Sequence, residues 1–217
     1  MLYFILGLVI FFGAHLFTTF RSREPGKDIK VRLGYGPYMG LYSLVSLAGF
    51  VLICWGFGAT RDAGILYVAP SWGRHVNLAL MLPALILLVA SQLPTGAIKK
   101  VVKHPMLIAV KLWAFGHLLA NGEINSVILF GAFLAYAVID RIAVKKRGDN
   151  GPGKEAATSV VWDIGAVLVG LGLYMAAPDP VRRGGDLAGS AETIRKPIAV
   201  RCRRRSYAQA FQGVTFR

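Results

Sequence analysis

Cysteine is nearly absent from the 217 residues. Cys54 and Cys202 stand alone, without CxxC, CxxCH or zinc-ligand spacing, which excludes a disulfide framework, c-type haem attachment and a structural zinc site. Cys54, inside an apolar run, is read as core packing. Acidic residues are scarce as well, 11 Asp and Glu against 25 Lys and Arg, and no two carboxylates pair inside an apolar stretch. There is no HExxH and no Ser-His-Asp arrangement, so hydrolytic chemistry has no residues to stand on. "GYGPYMG" at 34–40 has no following Lys-Ser/Thr, which excludes a phosphate loop.

What is abundant is apolar length. The chain is 55% hydrophobic, with mean hydropathy +0.53. Six apolar blocks lie at about 2–20, 38–58, 75–93, 105–121, 124–142 and 160–177. Each approaches the ~20 residues that a helix needs to cross a bilayer core. The expected fold is all-α, a polytopic membrane bundle of about six transmembrane helices over 1–177. The first block lacks a positive leader and carries Gly13 and His15, so a retained helix is expected rather than a cleaved signal.

The net charge of +14 would suit nucleic acid, but the cations are placed as topology requires. Thirteen Lys and Arg fall in the 21–37, 94–104 and 141–159 loops, while the intervening loops hold only Arg61 and Arg74. That asymmetry puts the three basic loops in the cytoplasm and the N-terminus outside, and no nucleic-acid partner is expected. Residues 178–217 break the pattern with nine further cations, including "RCRRR" at 201–205. They read as a basic, disordered or atypical tail, native or out of frame.

All four histidines, His15, His75, His104 and His117, lie in or at the edge of the apolar blocks. Ionisable groups inside a membrane are costly and mark sites, and neutral imidazole ligates metals and haem iron. The plain alternative is a packing histidine bonded to a carbonyl of a neighbouring helix. His104 and His117 are 13 residues apart, which is about 19 Å along a helix, so they cannot grip one ion together. A pair of haem ligands would combine His15 with His104 or His117, or His75 with His117. His117 follows Trp113 by one turn and adjoins Gly116, where a flat group could approach the backbone. His104 precedes Pro105 and suits a helix cap. Lys111 shares the His104 face and could snorkel or meet a haem propionate. Arg74, His75 and Asn77 read as interfacial. Gly165, Gly170 and Gly172 suit close helix packing.

Four stretches carry a family resemblance: "ILGLVIFFGAHLF" at 5–17, "GPYMGLYSLVSLAGFVLICWGF" at 36–57, "LYVAPSWGRHVNLALM" at 66–81 and "KHPMLIAVKLWAFGHLLANGEINSVILFGAFLAYAV" at 103–138. Over about 1–177 the chain resembles the NnrU family of bacterial inner-membrane proteins, to which plant and cyanobacterial 15-cis-zeta-carotene isomerase is related. Lys103 stands where the family usually has Arg before the His-Pro pair, and of the family's usual C-terminal finish only "QGV" at 212–214 remains. The resemblance implies a multi-pass inner-membrane protein associated with nitrite and nitric oxide reduction. It implies haem b as cofactor, with His15, His104 and His117 as metal ligands, Trp113 and Lys111 beside them, and nitric oxide reductase or another membrane redox enzyme as partner. Two alternatives are a haem-dependent isomerase of a polyene such as zeta-carotene and a non-catalytic assembly factor. A His-Pro pair also opens a late helix in isoprenylcysteine and phospholipid methyltransferases, but Glu123 lacks the acidic company they need.

Overall fold

A computed structural model describes residues 1–24, 26–149, 151–153 and 155–177. The expectation for the 178–217 tail lies outside the described residues. Among these residues eight helices follow in order: α1 Leu2–Phe20, α2 Ile29–Leu33, α3 Tyr35–Gly58, α4 Gly73–Gln92, α5 Ala97–Val102, α6 Pro105–Ala120, α7 Ile124–Lys146 and α8 Val160–Ala176. Among the described residues there is no strand; Ile65 and Glu123 form one isolated antiparallel bridge.

The all-α membrane bundle is as expected, with a refinement in the span lengths. α1, α3, α4 and α7 are long and apolar enough to cross a membrane, whereas α6 and α8 are shorter apolar helices of 16 and 17 residues. Sixteen residues rise about 24 Å, less than the ~30 Å hydrocarbon thickness. Pro105 at the first turn fixes where α6 begins, and its last turn closes at Asn121. Two of the basic connections hold short helices, α2 and α5, at the basic end of the bundle.

Neighbouring helices pack in the order α3, α1, α7, α6, α4, α8. Their interior is built from small side chains: among the described residues, seven of the thirteen buried apolar residues are alanine. Lipid is as apolar as leucine, so close backbone approach, rather than large buried side chains, holds such helices together. Glycine carries this between α1 and α3. A methyl group on Gly7 would stand 2.6 Å from Ile53 N, one on Gly49 2.7 Å from Phe11 N, and one on Gly56 2.5 Å from Phe4 N. Large apolar residues such as Leu41, Leu44, Trp55, Leu168 and Met175 face outward, where lipid can meet them.

Two expectations change here. Cys54 is exposed, because α3 turns Gly49, Ile53 and Gly56 toward α1 and leaves the adjoining face outside. Of the three α8 glycines only Gly170 makes a close approach, against the backbone of Ile86 in α4; Gly165 makes ordinary contact and Gly172 none within 4 Å.

At the end opposite the basic loops, the α3–α4 connection is tied to the α6–α7 turn. Leu66 N and Tyr67 N donate to Gly122 O, Ile124 N donates to Gly64 O, and the Tyr67 hydroxyl donates to Asn121 O. Gly122 is required there, since any side chain would run into Tyr67 O. At the basic end, Asp163 of α8 accepts from Ala97 N at 2.7 Å and Ile98 N at 3.0 Å, supplying the acceptors that the start of α5 lacks.

Candidate functional site

His15 belongs to the basic half of α1. Its Nδ1 lies 2.8 Å from Phe11 O. A carbonyl only accepts, so Nδ1 carries the proton and Nε2 keeps its lone pair. The ring stacks on Phe11 at 4.1 Å and meets Tyr42 of α3 and Tyr136 of α7. One turn on, Thr19 donates to Asp140 Oδ1 at 2.8 Å, and Arg147 donates to Thr19 O at 2.8 Å, locking α1 to α7.

His117 sits in the opposite half of α6. Its ring stacks on Phe130 of α7 at 4.5 Å, nearly parallel, and meets the edge of Trp113 at 5.7 Å. The Asn121 amide donates to His117 O at 2.9 Å, which fixes its orientation, and also reaches His117 Nδ1 at 3.3 Å. Nδ1 therefore accepts and Nε2 bears the proton, the reverse of His15. A cavity of about 380 Å³ opens beside it, lined by Phe57, Arg61, Asn121, Glu123, Ser126 and Phe130.

His104 is the residue before α6, as expected, but its side chain does not cap the helix. Its Nε2 lies 3.1 Å from Asp149 O and donates to it. His75 is exposed at the start of α4. Lys111 has neither ion pair nor hydrogen bond among the described residues.

The expected companionship of Trp113 with His117 is present; the open face expected at Gly116 is not. Asn77 of α4 fills it, with Oδ1 2.6 Å from where a Gly116 methyl would stand. Asn77 is thus buried between α4 and α6 rather than interfacial, and its Oδ1 has no hydrogen-bond partner among the described residues.

The fold keeps the expected ligands apart. α7 stands between α1 and α6, and His15 rests on Tyr136 while His117 rests on Phe130. Six residues of helix separate those rungs by about 9 Å. Phe133 fills the interval, 5.7 Å from Phe11 and 5.3 Å from Trp113. Two imidazoles on one metal, at bonds of about 2 Å each, hold their nitrogens about 4 Å apart. As arranged, His15 and His117 stand on separate rungs of α7, too far apart for one metal ion, and His104 bonds Asp149 away from both. Among the described residues no three His, Cys, Asp or Glu cluster for a metal ion.

Sequence reasoning missed Tyr42 and Tyr136, which meet the His15 ring, and the Thr19–Asp140 pair one turn on. Asp140 carried a usable signal, as a carboxylate near the end of an apolar helix.

Long apolar helices with outward-facing apolar side chains, packed through small residues around a few buried polar ones, define a polytopic α-helical membrane protein. A family model described as "NnrU protein" matches residues 3–178. The chain belongs to the NnrU family. No curated protein and no solved structure gave a significant match.

Proposed function

We propose that this NnrU-family chain serves nitrite and nitric oxide reduction as a non-catalytic component of the inner membrane, helping a membrane redox enzyme such as nitric oxide reductase to assemble or remain stable. The connection to that metabolism comes from the family resemblance. The observation that carries the non-catalytic part is the dispersal of the histidines: the His15 and His117 rings stack on aromatic side chains and bond within their own helices, and His104 bonds Asp149 O, in three separate places. Bonded in this way, the two rings join helices by aromatic contact, His15 against Tyr42 and Tyr136 and His117 against Phe130.

The test is complementation. Membranes from cells lacking the chain should lose nitric oxide reduction, and a double His15→Gln, His117→Gln variant present at the normal level should restore most of it. A folded variant as inactive as the deletion would overturn the reading, because the imidazoles would then be doing chemistry.

A second reading has one observation in its favour. His15 carries its proton on Nδ1 and leaves Nε2 free, the tautomer that a haem iron takes. On this reading His15 alone anchors a haem b, as a haem-dependent polyene isomerase would require. Purified protein would show a Soret band that His15→Ala abolishes and His117→Ala spares; colourless protein that cannot be reconstituted would refute it.

A further inference from the structure

Two cavities at the basic end adjoin and differ in chemistry. One, of about 300 Å³, is lined by Arg21, Arg23, Lys30 and Arg147, with Asp140 as its single carboxylate. The other, of about 250 Å³, is apolar and lined by Phe17, Ile29, Leu33 and Val45 among others. Tyr38 and Tyr42 belong to both walls. The short helix α2 serves both at once, giving Lys30 to the polar cavity and Ile29 and Leu33 to the apolar groove.

The positive charge in the polar cavity is not neutralised from within. Asp140 is the one carboxylate in its wall, and Asp28, just outside, is taken by Arg21. Four cations therefore face two carboxylates. Arg23 and Lys30 form no ion pair among the described residues. Arg147 uses a guanidinium N–H on Thr19 O and has others to offer. The Tyr38 hydroxyl is buried without a partner among the described residues, in a residue only 7% exposed, with the Arg21 guanidinium 5.7 Å from its ring. An unpaired buried hydroxyl is costly, and one in the wall of a cavity whose cations outnumber its carboxylates points to an oxygen-rich anion that accepts from it and from them.

We propose that this end of the bundle binds an anionic phospholipid, its phosphate in the basic cavity and an acyl chain in the adjoining groove. A free anion would use only the first of the two cavities, and a neutral lipid only the second. Basic pockets between membrane helices select anionic headgroups on this principle, each Lys or Arg contributing about fivefold in affinity. Nothing in this depends on the histidines or on the role proposed above.

The full chain, delipidated in neutral detergent, is titrated with phosphatidylglycerol, with phosphatidylcholine of the same acyl chains, and with inorganic phosphate, and binding is read by native mass spectrometry and thermal stabilisation. Phosphatidylglycerol should bind and stabilise, and the other two should not. Arg23→Gln with Lys30→Gln should weaken it about 30-fold. Val45→Trp, which fills the groove without altering charge, should weaken it too. The exposed cations Lys103 and Lys145 at the same end serve as the control, and changing both to Gln should leave binding intact. Equal binding of the two lipids, phosphate binding as tightly as the lipid, or an equal loss in the control pair would overturn the proposal.

Discussion

Gly56→Ala tests whether α1 and α3 are held by backbone contact. The added methyl would lie 2.5 Å from Phe4 N and Cα, whereas carbon atoms rest at about 3.5–4.0 Å. Phe4 is in a helix and fully buried, in a cluster with Leu8 and Ile53, so no rotamer change relieves the overlap. The helices must part by about 1 Å locally, enough to forfeit a quarter to a half of each affected contact. Overpacking of this kind costs about 1–3 kcal/mol. The better helix propensity of alanine returns up to about 1 kcal/mol, so steric overlap wins. Gly13 and Gly40 are the internal control, since neither has any atom within 4 Å of an added methyl; Gly13→Ala and Gly40→Ala should be neutral or stabilising by up to about 1 kcal/mol. Equilibrium unfolding in mixed micelles, followed by far-ultraviolet circular dichroism, reads all three. A Gly56→Ala protein as stable as Gly13→Ala would refute the close approach.

The link between α8 and α5 is open to a similar measurement. Asp163→Asn keeps one acceptor and turns an N–H toward a backbone N–H, so about 1–2 kcal/mol of local stability should go, and amide exchange across 97–102 should quicken about tenfold or more. At the α1–α2 connection, the hydrogen bond from Arg21 holds the Asp28 carboxyl below its ordinary 3.8, with backbone donation from Lys30 in support. A lowered folded-state value means the contribution is complete above pH 3.8 and is lost as pH falls through the lowered value. Acid should therefore loosen the α1–α2 connection, read by limited proteolysis between residues 21 and 29, and Arg21→Gln should bring that loosening to higher pH.

Much of the bundle was legible in the sequence because hydropathy and charge act over whole segments. Block length and loop cations located the apolar helices and grouped their ends. The site was less legible, because it depends on which faces meet. His15 and His117 look like partners along the chain, yet α7 stands between their helices and Phe133 occupies the gap. Gly116 looked like open backbone, and Asn77 of α4 covers it; no local pattern around Asn77 distinguishes burial against α6 from exposure at an interface. α2 and α5 are too short and too charged to stand out from loops. The Trp113–His117 contact was predictable because one helical turn enforces it. Gly170 could not be separated from Gly165 and Gly172 without the backbone of Ile86 opposite.

The ties from Gly64, Leu66 and Tyr67 to the Gly122 turn have a consequence for biogenesis. About 55 residues separate the partners, and a ribosome extending at about 5–20 residues per second needs roughly 3–11 seconds to make them. Throughout that interval α1 and α3 can already be paired in the membrane while the connection after them has backbone donors and an acceptor with no chain to meet. The connection after α3 is completed only when α6 has turned and α7 has begun, so a nascent chain stalled before residue 122 should be cut by protease in this connection, and one released beyond it should not.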